Sequence, residues 1–114
     1  MERIDIKLHD TQNEKYTEVY QFYFELEDKF LRKVWEIKAE TMNENLLTWS
    51  QVYCNKEAIV LKSQFSNIWK CWRSETRNWQ ITIGFNGSEP LTAFFLKEKE
   101  AVAFKNKILE WALS

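Results

Sequence analysis

Hydrophobic and polar residues alternate from the start of the chain. Ile4, Ile6 and Leu8 are interleaved with Arg3, Asp5 and Lys7, the two-residue period of a half-buried strand. The polar run His9 to Lys15 reads as a loop. Tyr20, Phe22, Phe24 and Leu26 then share one face of a predicted strand over 16–26, Glu27-Asp28-Lys29 forms a turn, and Phe30 to Ala39 returns. A helix competes over this region, because Val19, Tyr23, Leu26, Phe30, Val34 and Ile37 also recur at helical spacing. The density of aromatic residues favours the hairpin.

Thr41 to Asn45 is a polar break. Leu46 to Tyr53 reads as a strand, Asn55-Lys56-Glu57 as a turn, Ala58 to Leu61 as a short strand, and Phe65 to Trp72 as another, ended by Ser74 to Arg77. Trp79, Ile81, Ile83 and Phe85 then alternate cleanly. Asn86-Gly87 opens a five-residue hairpin loop running to Pro90, since Asn and Gly tolerate positive φ. Leu91 to Leu96 is the return strand. Residues 98–113 form an amphipathic helix with Ala101, Phe104, Ile108, Trp111 and Ala112 as its apolar stripe. Glu98 and Glu100 in its first turn complement the helix dipole. The expected core comprises Trp79, Phe85, Phe94, Phe104 and Trp111.

This succession of strands followed by one helix predicts an α+β fold within a single domain, 1–114. Phe65-Ser66-Asn67-Ile68-Trp69, Asn78 to Ile83, Leu91 to Leu96, Glu100 to Phe104 and Ile108-Leu109 together resemble the C-terminal half of pleckstrin-homology-like domains, nearest the bacterial and GRAM-type members, over about residues 58–113. The resemblance implies a mostly antiparallel β-barrel or sandwich of about seven strands, closed by the C-terminal helix. It also implies a scaffold that hosts lipid, peptide and protein binding alike. Phosphoinositide-binding members share a basic motif between their first two strands. Here residues 9–15 hold Lys15 among Asp10 and Glu14, which gives membrane-lipid binding no support from that loop.

Composition narrows the function classes. Eight Phe, six Trp and four Tyr stand against two Gly and one Pro, which excludes fibrous repeats, flexible linkers and a Gly-rich phosphate loop. Sixteen basic and 17 acidic residues leave a net charge of -1, so no global attraction to nucleic acid follows and none is expected as a partner. The charge is unevenly divided: residues 1–57 hold 12 acids and 8 bases, and residues 58–114 hold 5 and 8. No GxSxG, HExxH, GxGxxG or GxxxxGK[ST] pattern occurs, so no enzyme activity and no cofactor are expected. His9, beside Asp10, is the single histidine, and without a placed nucleophile it reads as a surface residue at a strand end. Glu25, Glu27 and Asp28 read as a solvated acidic turn rather than a metal site. Cys54 and Cys71 form no CxxC pattern; a bridge between them is open, but reduced, buried thiols are the expectation. With no apolar leader or spanning segment, a cytoplasmic protein is expected.

Binding is expected at two sets of residues. Lys62, Lys70, Arg73 and Arg77 face only Glu75 over residues 58–77 and are interleaved with Trp69 and Trp72. The two tryptophans have opposite strand parity, so one of them is expected in the core, and Lys70, Trp72 and Arg73 lead this patch. Trp35, Trp49 and Trp72 are the tryptophans left without a core role. Tryptophan anchors interfaces because it buries much area at little entropy cost. The leading expectation is a non-catalytic interaction module that binds a protein partner or forms a homodimer. One alternative is a small inhibitor or immunity-type protein that blocks an enzyme. A further one is an anionic-lipid or membrane-surface domain.

Overall fold

The computed structural model describes the backbone of residues 2–13, 16–43, 46–75 and 77–114, and the side chains among these outside 7–21 and 35–55. Among the described residues, seven antiparallel strands form two sheets, and one helix follows them. Strands β1 (Glu2–Asn13), β2 (Tyr16–Leu26), β3 (Phe30–Asn43) and β4 (Leu46–Leu61) make a four-stranded meander. A 3₁₀ turn at Lys62–Gln64 leads into β5 (Phe65–Arg73), β6 (Asn78–Phe85) and β7 (Ser88–Phe95), the three-stranded sheet. Helix α1 spans Glu98–Leu113.

The 16–40 region is a hairpin, not a helix. Phe22, Phe24 and Leu26 pair with Trp35, Lys33 and Leu31 across it, and this register puts one apolar row on the inner face. Three expected breaks are strand instead. β1 runs through His9 to Asn13, β3 through Thr41 to Asn43, and β4 continues through Asn55-Lys56-Glu57. The turn signal at 55–57 loses because β3 already satisfies that backbone, with Glu36 opposite Asn55 and Val34 opposite Glu57. β4, at 16 residues, is the longest strand, and the molecule measures 53 Å along its longest axis.

The core lies where both sheets and the helix meet. Phe24, Leu31, Ile81, Ile83 and Ile108 are fully enclosed. Phe104 of α1 packs on Phe24 and Phe95, with ring centroids 4.9 and 5.3 Å away. Phe85 and Phe104 are buried as expected, and Trp79 and Trp111 pack partly buried against the cluster. Phe94 does not join it. The register Trp79–Phe95, Ile81–Ala93, Ile83–Leu91 gives the core position to Phe95. The β6–β7 loop is also shorter than expected: Asn86 and Gly87 alone separate the strands, with Gly87 at φ 79°, a conformation glycine adopts without steric cost.

Two contacts tie down the C-terminal half of α1. Lys107 forms an ion pair with Glu2 of β1, and the Trp111 indole donates to the Glu27 carbonyl at 2.6 Å. Cys71 is free and exposed, contrary to the expected buried thiol, because its position on β5 faces away from the helix; the side chain of Cys54 lies outside the described residues. Among the described residues, no helix is long and apolar enough to cross a membrane.

Candidate interaction surface

Strand β5 is an edge of the three-stranded sheet, and its alternation sorts the predicted residues onto two faces. Ile68, Lys70 and Trp72 sit opposite Ile83, Ile81 and Trp79, on the side bearing the core. Trp69, Cys71 and Arg73 sit opposite Thr82, Gln80 and Asn78, on the outer side. Opposite parity therefore does separate the two tryptophans, but neither becomes core: Trp69 is 45% and Trp72 46% exposed. β5 lies at the sheet margin, where even the inward-facing positions are covered on one flank only.

On the inner side, Trp72 lies against Trp79, with centroids 5.0 Å apart and planes tilted by 53°. Lys70 Nζ stands 5.1 Å from the Trp79 ring centre and 3.0 Å from Glu98 Oε1 in the first turn of α1. The ammonium is thus held by a ring face and a carboxylate together. On the outer side, Arg73 Nη1 donates to Gln80 Oε1 at 2.9 Å, and Gln80 Nε2 donates to Thr82 Oγ1 at 3.2 Å. Glu75 stands 3.7 Å from Arg73 Nη2. The side chain of Asn78, opposite Arg73, is buried with its Oδ1 unpartnered.

The other predicted residues do not join this cluster. Lys62 lies in the 3₁₀ turn, where Nζ donates to Ser114 Oγ at 2.8 Å and stands 5.8 Å from the Trp111 ring. It borders an open groove of about 720 Å³ that Asp28, Leu61, Phe65 and Leu113 also line. Arg77 occupies the β5–β6 turn at φ 53°, exposed. Trp35 falls on β3 and Trp49 on β4; their side chains, with that of His9, lie outside the described residues. A seven-residue proximity in sequence does not bring Lys62 to Trp69 because the 3₁₀ turn redirects the chain between them.

Glu25 also departs from expectation. It sits on β2 rather than in the turn, is buried, and pairs with Arg32. That hydrogen bond holds the Arg32 guanidinium above its ordinary pKa. A solvated acidic cluster does not form, and among the described residues no group of three metal-ligating side chains occurs.

The edge strand thus presents one half-exposed indole and one cation on each side, Trp72 with Lys70 inward and Trp69 with Arg73 outward, each cation oriented by its neighbours. Each side offers apolar area beside a positioned cation, which suits an aromatic or aliphatic anchor next to a carboxylate. On sequence alone Gln80 has no role, and Glu98 has only a place in the first turn of the helix. Gln80 was findable as the polar outward residue between Trp79 and Ile81. The tie from Glu98 to Lys70 needed the fold. No protein-family model, curated protein or solved structure matches the chain.

Proposed function

We propose that the chain is a non-catalytic interaction module of pleckstrin-homology-like fold that binds a protein partner along β5. The fold reading is supported by the order of four antiparallel strands, three antiparallel strands and a terminal helix, and by β1 lying against β7. That approach draws the two sheets toward the sandwich or barrel of such domains, with α1 across one end.

The binding reading is carried by one observation: Trp69 and Trp72 stay half exposed on opposite sides of a single edge strand. A buried indole is worth very roughly 4–6 kcal/mol at ~25 cal/mol per Å². Leaving half of each ring in water forgoes roughly 2–3 kcal/mol per residue, and a partner that covers them recovers it. Arg73 and Lys70, already held in place, lose little side-chain entropy on contact. The test is affinity capture from the native host with the wild-type chain and with Trp69→Ala/Trp72→Ala and Arg73→Glu variants. A stoichiometric protein on the wild type, reduced at least tenfold on both variants with unchanged far-UV circular dichroism, is the expected result. The same protein retained equally by all three chains overturns the assignment.

A further inference from the structure

The two edges of the three-stranded sheet are unlike. On β7 the inward positions Leu91, Ala93 and Phe95 are all buried, and β1 lies against that strand. On β5 no residue is buried. Its inward positions Ile68 and Lys70 are only partly covered, and Trp72 is half exposed. β6 pairs with one flank of β5, and among the described residues no strand pairs with the other. From Asn67 to Arg73 the register with β6 is unbroken, with Asn67 opposite Gly84 and Arg73 opposite Asn78. In an antiparallel pair only every second residue exchanges bonds with the neighbouring strand. The alternate residues of this stretch therefore turn their N–H and C=O groups to the open flank.

Trp69 and Trp72 limit what can fill that flank. They stand on opposite sides of the sheet, so a partner surface approaching either side reaches one indole and not the other. A segment lying in the plane of the sheet reaches both, because its side chains alternate between the two sides. Each side also holds a cation, Lys70 with Trp72 and Arg73 with Trp69. A second copy of β5 would bring its own Lys70 and Arg73 to the same short ladder, and like charges on neighbouring strands repel. The strand thus selects against itself and for a segment that carries carboxylates.

We propose that β5 is completed by strand addition, in which an extended acidic segment of a protein partner pairs along Asn67–Arg73 as a fourth strand of the small sheet. Its main chain bonds to the open flank. Its side chains set an apolar residue against each indole and an acidic residue near Lys70 on one side and near Arg73 on the other. The inference rests on the reading of β5 as the partner-binding strand and adds the form in which the partner binds.

The test uses the purified full chain and a phage-displayed library of random nonapeptides. Selected peptides should be rich in aspartate and glutamate among apolar residues. The tightest is then synthesised in two forms, N-methylated at every second amide in one phase or in the other. A strand bonds through alternate amides only, so one form should bind at least about tenfold more weakly and the other within about twofold. Amide exchange of the wild type with saturating peptide should show new protection at alternate residues of Asn67–Arg73. Trp69→Ala and Trp72→Ala, each alone, should weaken the peptide by at least about threefold. Methylated forms that bind alike, no new protection in Asn67–Arg73, or a library yielding nothing tighter than about 1 mM overturns strand addition. Dependence on one tryptophan alone places the peptide on one side of the sheet and overturns it too. A host protein captured through Trp69 and Trp72 that leaves these amides unprotected removes strand addition and keeps the partner reading. Strand addition by the peptide with no host protein captured fails that reading alone.

Discussion

β3 and β6 are both interior strands, each with a neighbour on either side, yet their buried rows differ. On β6 the inner row is wholly apolar: Ile81 and Ile83 are fully enclosed, and Ala101, Phe104 and Ile108 form the buried stripe of the helix over that core. On β3 the row passes from Leu31, fully enclosed, to Lys33, 8% exposed. Lys33 Nζ stands 4.7 and 5.2 Å from the ring centres of Phe22 and Phe24 and donates to the Thr92 carbonyl on β7. The sheet beneath the helix is closed by hydrocarbon alone. At the junction of the two sheets an ammonium is accepted instead, stabilised by two aromatic faces and a main-chain carbonyl.

The sharpest way to break this contrast is to empty the point where the two regions meet. Phe24→Ala removes a ring that touches Phe22 and Phe104 and is expected to cost about 3–5 kcal/mol in urea denaturation at neutral pH. A loss below about 1 kcal/mol would mean that the large sheet does not share the core of the small one.

The next effect belongs to Lys33, whose burial lowers its pKa from 10.5 to about 8. Below the folded value the lysine is charged in both states, and the cost of burying that charge is fully present. Between about 8 and 10.5 the unfolded chain binds more protons than the folded one, so stability rises with pH through this window. The rise amounts to about 3 kcal/mol for a shift of this size. Lys33→Met should remove that share of the pH dependence and be the more stable chain at pH 7. Parallel stability–pH curves for the two proteins would refute the account.

Smaller effects probe how the helix and the short sheet are fastened. Trp111→Phe keeps an aromatic ring but deletes the pyrrole ring with its bond to the Glu27 carbonyl, for an expected loss of about 1–2 kcal/mol in thermal unfolding. Gly87→Ala meets open space, so only its positive φ is penalised, at about 1 kcal/mol. A larger loss at Gly87 than at Trp111 would invert the ranking.

Much of this architecture was legible in the sequence where burial is one-sided. Trp79 to Phe85 and the stripe Ala101–Phe104–Ile108 declare their periods because one face of each meets the core. The hairpin over 16–39 was legible for the same reason, through Phe22, Phe24 and Leu26, though not its continuation through Thr41 to Asn43. The reading failed where pairing rather than burial maintains a strand: His9, Asp10, Asn13 and Asn55 to Glu57 are polar but backbone-paired. It also failed by one residue at Phe94 and Phe95, since adjacent identical side chains carry no parity signal and only the register with β6 selects one. At the candidate surface, Arg73 and Trp72 were visible as types. That they point to opposite sides of an edge strand, with Trp69 beside Arg73, follows from the sheet.

The indole of Trp111 reaches a carbonyl 84 positions earlier in the chain. A chain made from its N-terminus presents the four-stranded sheet first, and α1 only after all seven strands. Until then Phe24 and Leu31 have no lid, and their apolar faces stay open to any other nascent chain. Distant contacts of this kind also slow folding, because a long loop must close before they form. The helix made after all seven strands is therefore the segment that renders the earlier product safe, and a ribosome that stalls before Glu98 releases a sheet with an uncovered face.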